Sequence, residues 1–297
     1  MKNSLVFWVE KYFYNPDPFQ KLLSFILLPL SFFYCFLMWL RFKSKVVEDF
    51  GLDIVSVGNL TVGGSGKTPL IIALAASHDN IAIILRGYGR SSSGLYVVKD
   101  KKNILCDVSI SGDEAMIYAH KLPNAVVIVS ENRKEGIKKA KEMGVSSIFL
   151  DDAYSKHDIK KRDILIEVKT KNSRCLPSGA FRERLWKGKQ ATVLVDGVDF
   201  KRRVTLIDTR KKMSLVTAIA RPERLDEFLP EVVSKNYFAD HHSYKKEELL
   251  EILQRDKSDS LLVTYKDFVK VQGFDLPLSL LDLDIDVSSS VLDFIQK

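Results

Sequence analysis

The chain has 297 residues, 46% hydrophobic and 28% charged, enough apolar material for one large α/β domain or two modest ones, and an intrinsically disordered chain is excluded. Lysine and arginine (45) outnumber aspartate and glutamate (38), and the resulting charge of +7 suits an anionic partner: nucleic acid, a phosphorylated substrate or an acidic membrane surface. Cys35, Cys106 and Cys175 form no CxxC pair, so neither a disulfide framework nor a zinc site is expected, and a reducing compartment fits.

From Leu22 to Leu40 no residue is charged, and Leu, Phe, Ile, Met and Trp dominate. That run approaches the ~20 residues with which a helix crosses the hydrocarbon layer. Lys21 closes one side; Arg41, Lys43 and Lys45 close the other. Residues 1–48 are therefore expected to form a membrane-associating helical segment, either spanning the bilayer or lying in its surface. The flanking charges do not choose between these or fix the orientation.

A short buried strand, Ile54–Val57, is expected next, running into Gly58-Asn59-Leu60-Thr61-Val62-Gly63-Gly64-Ser65-Gly66-Lys67-Thr68 and then a helix, Thr68–Ala76. Strand, glycine-rich turn, Lys-Thr and helix stand in the order of a P-loop. There, backbone N–H groups curl around phosphate oxygens and the helix N-terminus adds partial positive charge. Gly63, Gly64, Ser65, Gly66, Lys67 and Thr68 are the candidate ATP-binding residues, with the Thr68 hydroxyl also a ligand for Mg²⁺. Thr61 occupies the place where the strict pattern has glycine.

The strand Ile81–Leu85 leads into Arg86-Gly87-Tyr88-Gly89-Arg90, where Arg86 and Arg90 flank flexible glycines as a candidate anion clamp. Gly112-Asp113-Glu114 opens a helix over Glu114–Lys121. Its acidic residues are either first-turn dipole partners or, in one case, a base for an attacking hydroxyl. The strand Ala125–Val129 and helix Lys134–Met143 follow, then Ser147–Leu150 with Asp151 and Asp152 at its end. Paired carboxylates at a strand's C-terminal edge are candidate Mg²⁺ ligands.

Strands are expected at Ile164–Val168 and Thr192–Val195, and the density of basic residues rises between Lys201 and Lys212. A second alternating series comprises Leu215–Ile219, Arg221–Val232, Glu247–Gln254, Leu261–Thr264 and Leu283–Val287. The fold expected is α/β, a P-loop NTPase-type mostly parallel sheet flanked by helices. Residues 49–203 form the nucleotide-binding core and 204–297 a smaller C-terminal α/β domain. The cluster Asp240-His241-His242 admits a metal site, a base relay or a loop cap, and His157 stands alone as a surface residue.

Taken together, the chain resembles the tetraacyldisaccharide 4′-kinase family, the lipid A 4′-kinases. The resemblance rests on Val57–Pro69, supported by Arg86–Arg90, Gly112-Asp113-Glu114, Leu176-Pro177-Ser178-Gly179 with Arg182-Glu183, Ala220-Arg221-Pro222, Asp240-His241-His242 and Lys266-Asp267. It implies an inner-membrane enzyme, its catalytic domains on the cytoplasmic side, that uses MgATP to phosphorylate the 4′-hydroxyl of a lipid-linked glucosamine disaccharide 1-phosphate. It also implies a catalytic dyad of Asp113 and His241 and a substrate contact at Arg182; with the two residues in different expected domains, closure would bring them together. The partners expected are this lipid A precursor and an anionic membrane surface, with no nucleic acid and no protein partner. Where the family continues Asp-Asp with Gly-Phe-Gln-His, this chain has Ala153-Tyr154-Ser155-Lys156 before His157. The competing reading is a membrane-tethered P-loop ATPase acting as a switch or assembly factor, which leaves Asp240-His241-His242 unexplained.

Overall fold

The computed structural model describes residues 2–219 and 222–296; Ala220 and Arg221 of the Ala220-Arg221-Pro222 motif lie outside them. The chain opens with three helices, α1 (Lys2–Tyr14), α2 (Pro18–Ile26) and α3 (Leu28–Lys43). There follow β1 (Asp53–Gly58), α4 (Lys67–Ala75), β2 (Ile81–Leu85), β3 (Tyr96–Lys99), α5 (Val108–Ser111), α6 (Asp113–Lys121), β4 (Val126–Val129) and α7 (Arg133–Glu142). Next come β5 (Ser147–Asp151), β6 (Arg162–Ile166), β7 (Thr192–Leu194), β8 (Phe200–Ile207), β9 (Met213–Thr217) and β10 (Ser234–Tyr237). The C-terminal part holds α8 (Lys246–Asp256), β11 (Ser260–Thr264), α9 (Tyr265–Val271), β12 (Leu278–Val287) and α10 (Ser289–Gln296). This is a mixed α/β fold with parallel strands flanked by helices.

Two compact units result: residues 1–67 with 150–196, and residues 68–149 with 197–297. In the first, β1 pairs with β6 and β6 with β7, all parallel. Five of the six β1 residues are buried, as parallel strands covered on both faces require. In the second, β4 lies between β2, parallel, and β3, antiparallel. A separate five-stranded sheet has the order β10-β9-β11-β12-β8, antiparallel only between β12 and β8.

The uncharged N-terminal run is not one helix. It breaks at Leu27, ahead of Pro29, where a proline is tolerated only in a first helical turn. No single helix among the described residues is long and apolar enough to cross a membrane, but α2 and α3, bent by 59°, pass that test together. The pair is inverted relative to a core helix. Gln20 and Ser24 are 0% and 1% exposed, whereas Phe25, Phe32 and Phe33 are more than half exposed. The buried polar groups turn inward onto residues 172–183. Ser24 Oγ donates to Ser178 O (2.5 Å), Ser31 Oγ to Cys175 O (2.7 Å) and Tyr34 OH to Arg182 O (3.0 Å).

Two further expectations give way in the second unit. Of the helix expected over Arg221–Val232, the described residues 222–232 form only a 3-10 turn at Pro222–Leu225, because the stretch between Pro222 and Pro230 is too short to repay helix nucleation. Leu225, Leu229 and Val232 pack instead on Met213, Leu215, Leu262 and Leu281. The basic run after Phe200 is strand β8, with Lys201 opposite Asp286 and Arg203 opposite Asp284 on β12. Opposite charges placed across strands stabilise the pairing.

Asp267 fastens this sheet from inside. It is fully buried and accepts from Thr217 Oγ1 (2.7 Å), Ala218 N (2.9 Å), Thr264 Oγ1 (2.6 Å) and Tyr244 OH (2.8 Å). Asp267→Ala leaves these donors without an acceptor, at a cost of about 3 kcal/mol or more. Its melting temperature should fall by several degrees, and Asp267→Asn, which keeps one acceptor, should lose less. Equal stability of Asp267→Ala and the parent would remove this role.

Candidate functional site

The first unit carries the glycine-rich loop at the end of β1. Gly63 and Gly66 adopt φ of 88° and 82°, and Lys67 opens α4 with Thr68 after it. Thr61 replaces a glycine because this half of the loop is a pairing segment. Thr61 bridges Phe181, and Asn59 Nδ2 donates to its carbonyl (3.0 Å) and hydroxyl (3.1 Å). Backbone freedom is left to Gly63–Gly66.

Around this loop, four polar side chains converge. Lys67 Nζ stands 3.3 Å from Asn59 Oδ1 and 3.6 Å from Asp152 Oδ1. Arg182 Nη2 donates to Asn59 Oδ1 (3.1 Å) and to Asp152 Oδ1. Two cations thus share one carboxylate, an arrangement that a triphosphate would complete with negative charge. Arg182 is aimed by its backbone, since Arg182 N donates to Leu60 O (2.9 Å). Its segment needs Gly179, where a Cβ would meet Arg174 O at 2.5 Å and Asn172 Oδ1 at 2.6 Å. Asn59, Asp152 and Arg182 line a cavity of about 140 Å³ with Tyr34, Met38 and Arg41 of α3.

Asp151 ends β5 and is buried, and Asp152 follows in the left-handed region at φ 50°. Among the described residues no three His, Cys, Asp or Glu side chains gather as a metal-binding group. Magnesium nonetheless fits the donor set. It is usually held by one or two carboxylates together with waters and phosphate oxygens, and the adjacent Asp151 and Asp152 are hard oxygen donors.

The second unit brings Asp113 and His241 together without any closure. Asp113 is the first residue of α6, where the helix N-terminus favours a carboxylate. His241 Nδ1 donates to its Oδ2 at 3.0 Å, and Lys270 Nζ donates to the same oxygen at 2.9 Å. Among the described residues Oδ1 has no such partner. Burial pushes the Asp113 carboxyl up, but His241, Lys270 and the more distant Lys266 outweigh it and hold it below its ordinary 3.8. His241 Nε2 faces Lys266 Nζ (3.4 Å), which also grips Asp240 (2.9 Å). Tyr88 packs on the imidazole at 5.2 Å between ring centres. A Cβ on Gly89 (φ 77°) would press on His241 Nδ1 at 3.2 Å, so this turn must be glycine.

The two adjacent histidines have separate duties, which the residue pattern alone left open. His242 Nε2 pairs with Glu248 Oε2 of α8 at 3.2 Å, and its ring stacks on Phe238 at 4.7 Å. Arg90 is pinned rather than free, its guanidinium bonded to Glu131 Oε1 (2.5 Å) and Gly94 O (2.6 Å). Arg86 is exposed. His157 is buried rather than on the surface, its Nε2 3.6 Å from Glu183 Oε2.

Cys35 and Cys175, separated by 140 residues, are joined in a disulfide, contrary to the expectation from spacing. Folding α3 onto residues 172–183 brings them to a Cα–Cα distance of 6.2 Å. Sequence reasoning also passed over Lys270 and Asn59. Lys270 stands one helical turn after Lys266 on α9, the i,i+4 spacing that places two cations on one face.

The family model described as LpxK, tetraacyldisaccharide-1-P 4′-kinase, matches residues 23–205 and 197–297. The tetraacyldisaccharide 4′-kinase of Aliarcobacter butzleri is 47% identical over 98% of this chain and 96% of its own length. The Helicobacter pylori (strain J99) protein of the same name is 42% identical over 98% and 94%. The crystal structure of the "apo" form of LpxK from Aquifex aeolicus in complex with ATP superimposes with a TM-score of 0.72, at 24% identity, over 92% of this chain and 98% of that one. With its family model spanning nearly the whole length and relatives above 40% identity, this chain belongs to the tetraacyldisaccharide 4′-kinase family.

Proposed function

We propose that this chain transfers the γ-phosphate of ATP to the 4′-hydroxyl of a lipid-linked glucosamine disaccharide 1-phosphate, a precursor of lipid A. Family membership supports the reaction class, and the Asp113 constellation is the observation that carries the chemistry. An ionised carboxylate at a helix N-terminus, braced through one oxygen by His241 and Lys270, leaves its other oxygen for a hydroxyl proton.

A base held below its ordinary pKa is weak, yet it suffices here. Phosphoryl transfer runs through a loose transition state in which the nucleophile loses its proton late, so alignment matters more than basicity. His241 fixes the carboxylate's orientation, and Lys266 fixes His241.

The residues Gly63, Gly64, Ser65, Gly66, Lys67 and Thr68 are assigned to the triphosphate as a P-loop. Lys67 and Arg182 already converge on Asp152 Oδ1, so they are poised to exchange that carboxylate for phosphate oxygens. Thr68, Asp151 and Asp152 would hold magnesium, which when bound neutralises charge on the phosphates. Arg86, Arg90 and Arg182 are assigned to substrate anions, Arg90 by shaping the 86–94 turn through Glu131. The expected division at residue 203/204 falls inside strand β8, so in this reading the C-terminal α/β domain is taken from residue 197 onward.

The N-terminal pair is assigned to the inner membrane, with the catalytic residues on the cytoplasmic side where ATP is found. Its inverted exposure supports this, because each Leu or Phe side chain moved from water into lipid gains roughly 1.5–3 kcal/mol. Several such side chains decide attachment.

Purified protein with labelled ATP, Mg²⁺ and tetraacyldisaccharide 1-phosphate in detergent should yield labelled lipid; release of inorganic phosphate alone would favour the switch ATPase. Asp113→Ala should lower kcat about 10²–10⁴-fold with little change in the KM for ATP. Near-normal turnover would remove Asp113 from the mechanism. Lys270→Met removes a cation that lowers the Asp113 pKa, so the acid limb of its kcat profile should move to higher pH. An unmoved limb would separate Lys270 from the base. His242→Ala should lower the melting temperature while keeping turnover, and His241→Ala should do the reverse.

A further inference from the structure

A second cavity in the first unit shares no lining residue with the one beside Asn59 and Arg182. Its volume of about 410 Å³ is in the range of small-molecule sites, roughly 300–1,000 Å³. Lys43, Lys45, Lys160, Lys161 and Lys189 line it, with Phe42 and His157, and no carboxylate is among the lining residues.

Nearby acids meet only part of this charge. Asp163, whose side chain is wholly buried, pairs with Lys161 at 3.0 Å and Lys189 at 2.5 Å, and Asp49 pairs with Lys160 at 2.8 Å. Lys43 and Lys45 have no carboxylate partner among the described residues. Burial pushes the Lys161 ammonium down to about 8, against the opposing pull of Asp163. A group that returned negative charge to the cavity would relieve this. The last carbonyls of α3 contribute only about half a negative charge, which the lysines exceed.

Position narrows the ligand. Phe42, Lys43 and Lys45 lie at the C-terminal end of α3 and just beyond, and the outward face of that helix exposes Phe32, Phe33, Phe36, Trp39 and Leu40. Apolar surface running into a cationic pocket matches an amphiphile with acyl chains on one side and a phosphate on the other. Lysines bind such a phosphate as mobile point charges rather than by bidentate geometry.

We propose that this pocket binds the phosphate headgroup of an anionic membrane phospholipid, at a site separate from the phosphate loop. The assignment rests on the membrane-association part of the functional reading and needs neither ATP nor the sugar substrate.

The test is cosedimentation of the full-length protein with vesicles of phosphatidylcholine alone or mixed with phosphatidylglycerol. Lys43→Glu/Lys45→Glu is compared with Lys101→Glu/Lys102→Glu, which makes the same charge change in the turn after β3. Melting temperatures confirm that both variants fold. The parent should bind phosphatidylglycerol vesicles at least tenfold more tightly than neutral ones. Lys43→Glu/Lys45→Glu should lose that preference while keeping neutral binding, and Lys101→Glu/Lys102→Glu should retain it. Equal losses in the two variants, or none in either, would overturn the pocket and leave membrane association standing. Failure of the parent to bind any vesicle would overturn both. In a separate arm without vesicles, inorganic phosphate at millimolar concentration is titrated by ligand line broadening. Binding there that Lys43→Glu/Lys45→Glu abolishes, with no vesicle preference in the parent, would reassign the pocket to free phosphate.

Discussion

One oxygen of one carboxylate organises the second unit's polar cluster. Asp113 Oδ2 receives both His241 Nδ1 and Lys270 Nζ, and each contact constrains something different. Both keep the carboxyl ionised despite its burial, the imidazole through a hydrogen bond that also sets its plane and the lysine through a hydrogen bond and its charge. Because the carboxyl lies below its ordinary 3.8, its contribution to stability is fully present above that value and is lost progressively as pH falls from there through the lowered one. Lys270 in turn donates to His242 O (3.1 Å), so the same ammonium ties the Asp113 carboxylate to the His241-His242 turn.

The first unit solves a different problem, which is to fasten an apolar surface to a polar loop. Its N-terminal helices present phenylalanine and leucine outward and spend their serines and tyrosines on the backbone of residues 172–183. Arg182, at the end of that segment, reaches Asn59 and Asp152 beside Lys67. The contact of Tyr34 with Arg182 O therefore links a helix assigned to the membrane with a cation assigned to phosphate, through a single residue.

Much of this was legible in the amino-acid sequence where local rules suffice. The buried runs of β1, β2 and β4 are near-continuous Val and Ile, and Gly63-Gly64-Ser65-Gly66-Lys67 falls between a strand and a helix as read. Strand β8 was missed because its Lys and Arg look like a charged linker until Asp284 and Asp286, some eighty residues later, stand opposite them. The single N-terminal helix was misread because uncharged length says nothing of a break at Leu27. Cys35–Cys175 and Lys270–Asp113 were invisible for the same reason as β8: each is made by tertiary folding, not by spacing. Apart from the family resemblance, His241 and His242 could be told apart only once one faced Asp113 and the other Glu248.

The most direct measurement is a carbon-detected NMR titration of the Asp113 carboxyl in the detergent-solubilised protein and in Lys270→Met. The account predicts a midpoint below 3.8 in the parent and a higher one in the variant. A parent midpoint at or above 3.8, unmoved by loss of Lys270, would contradict it.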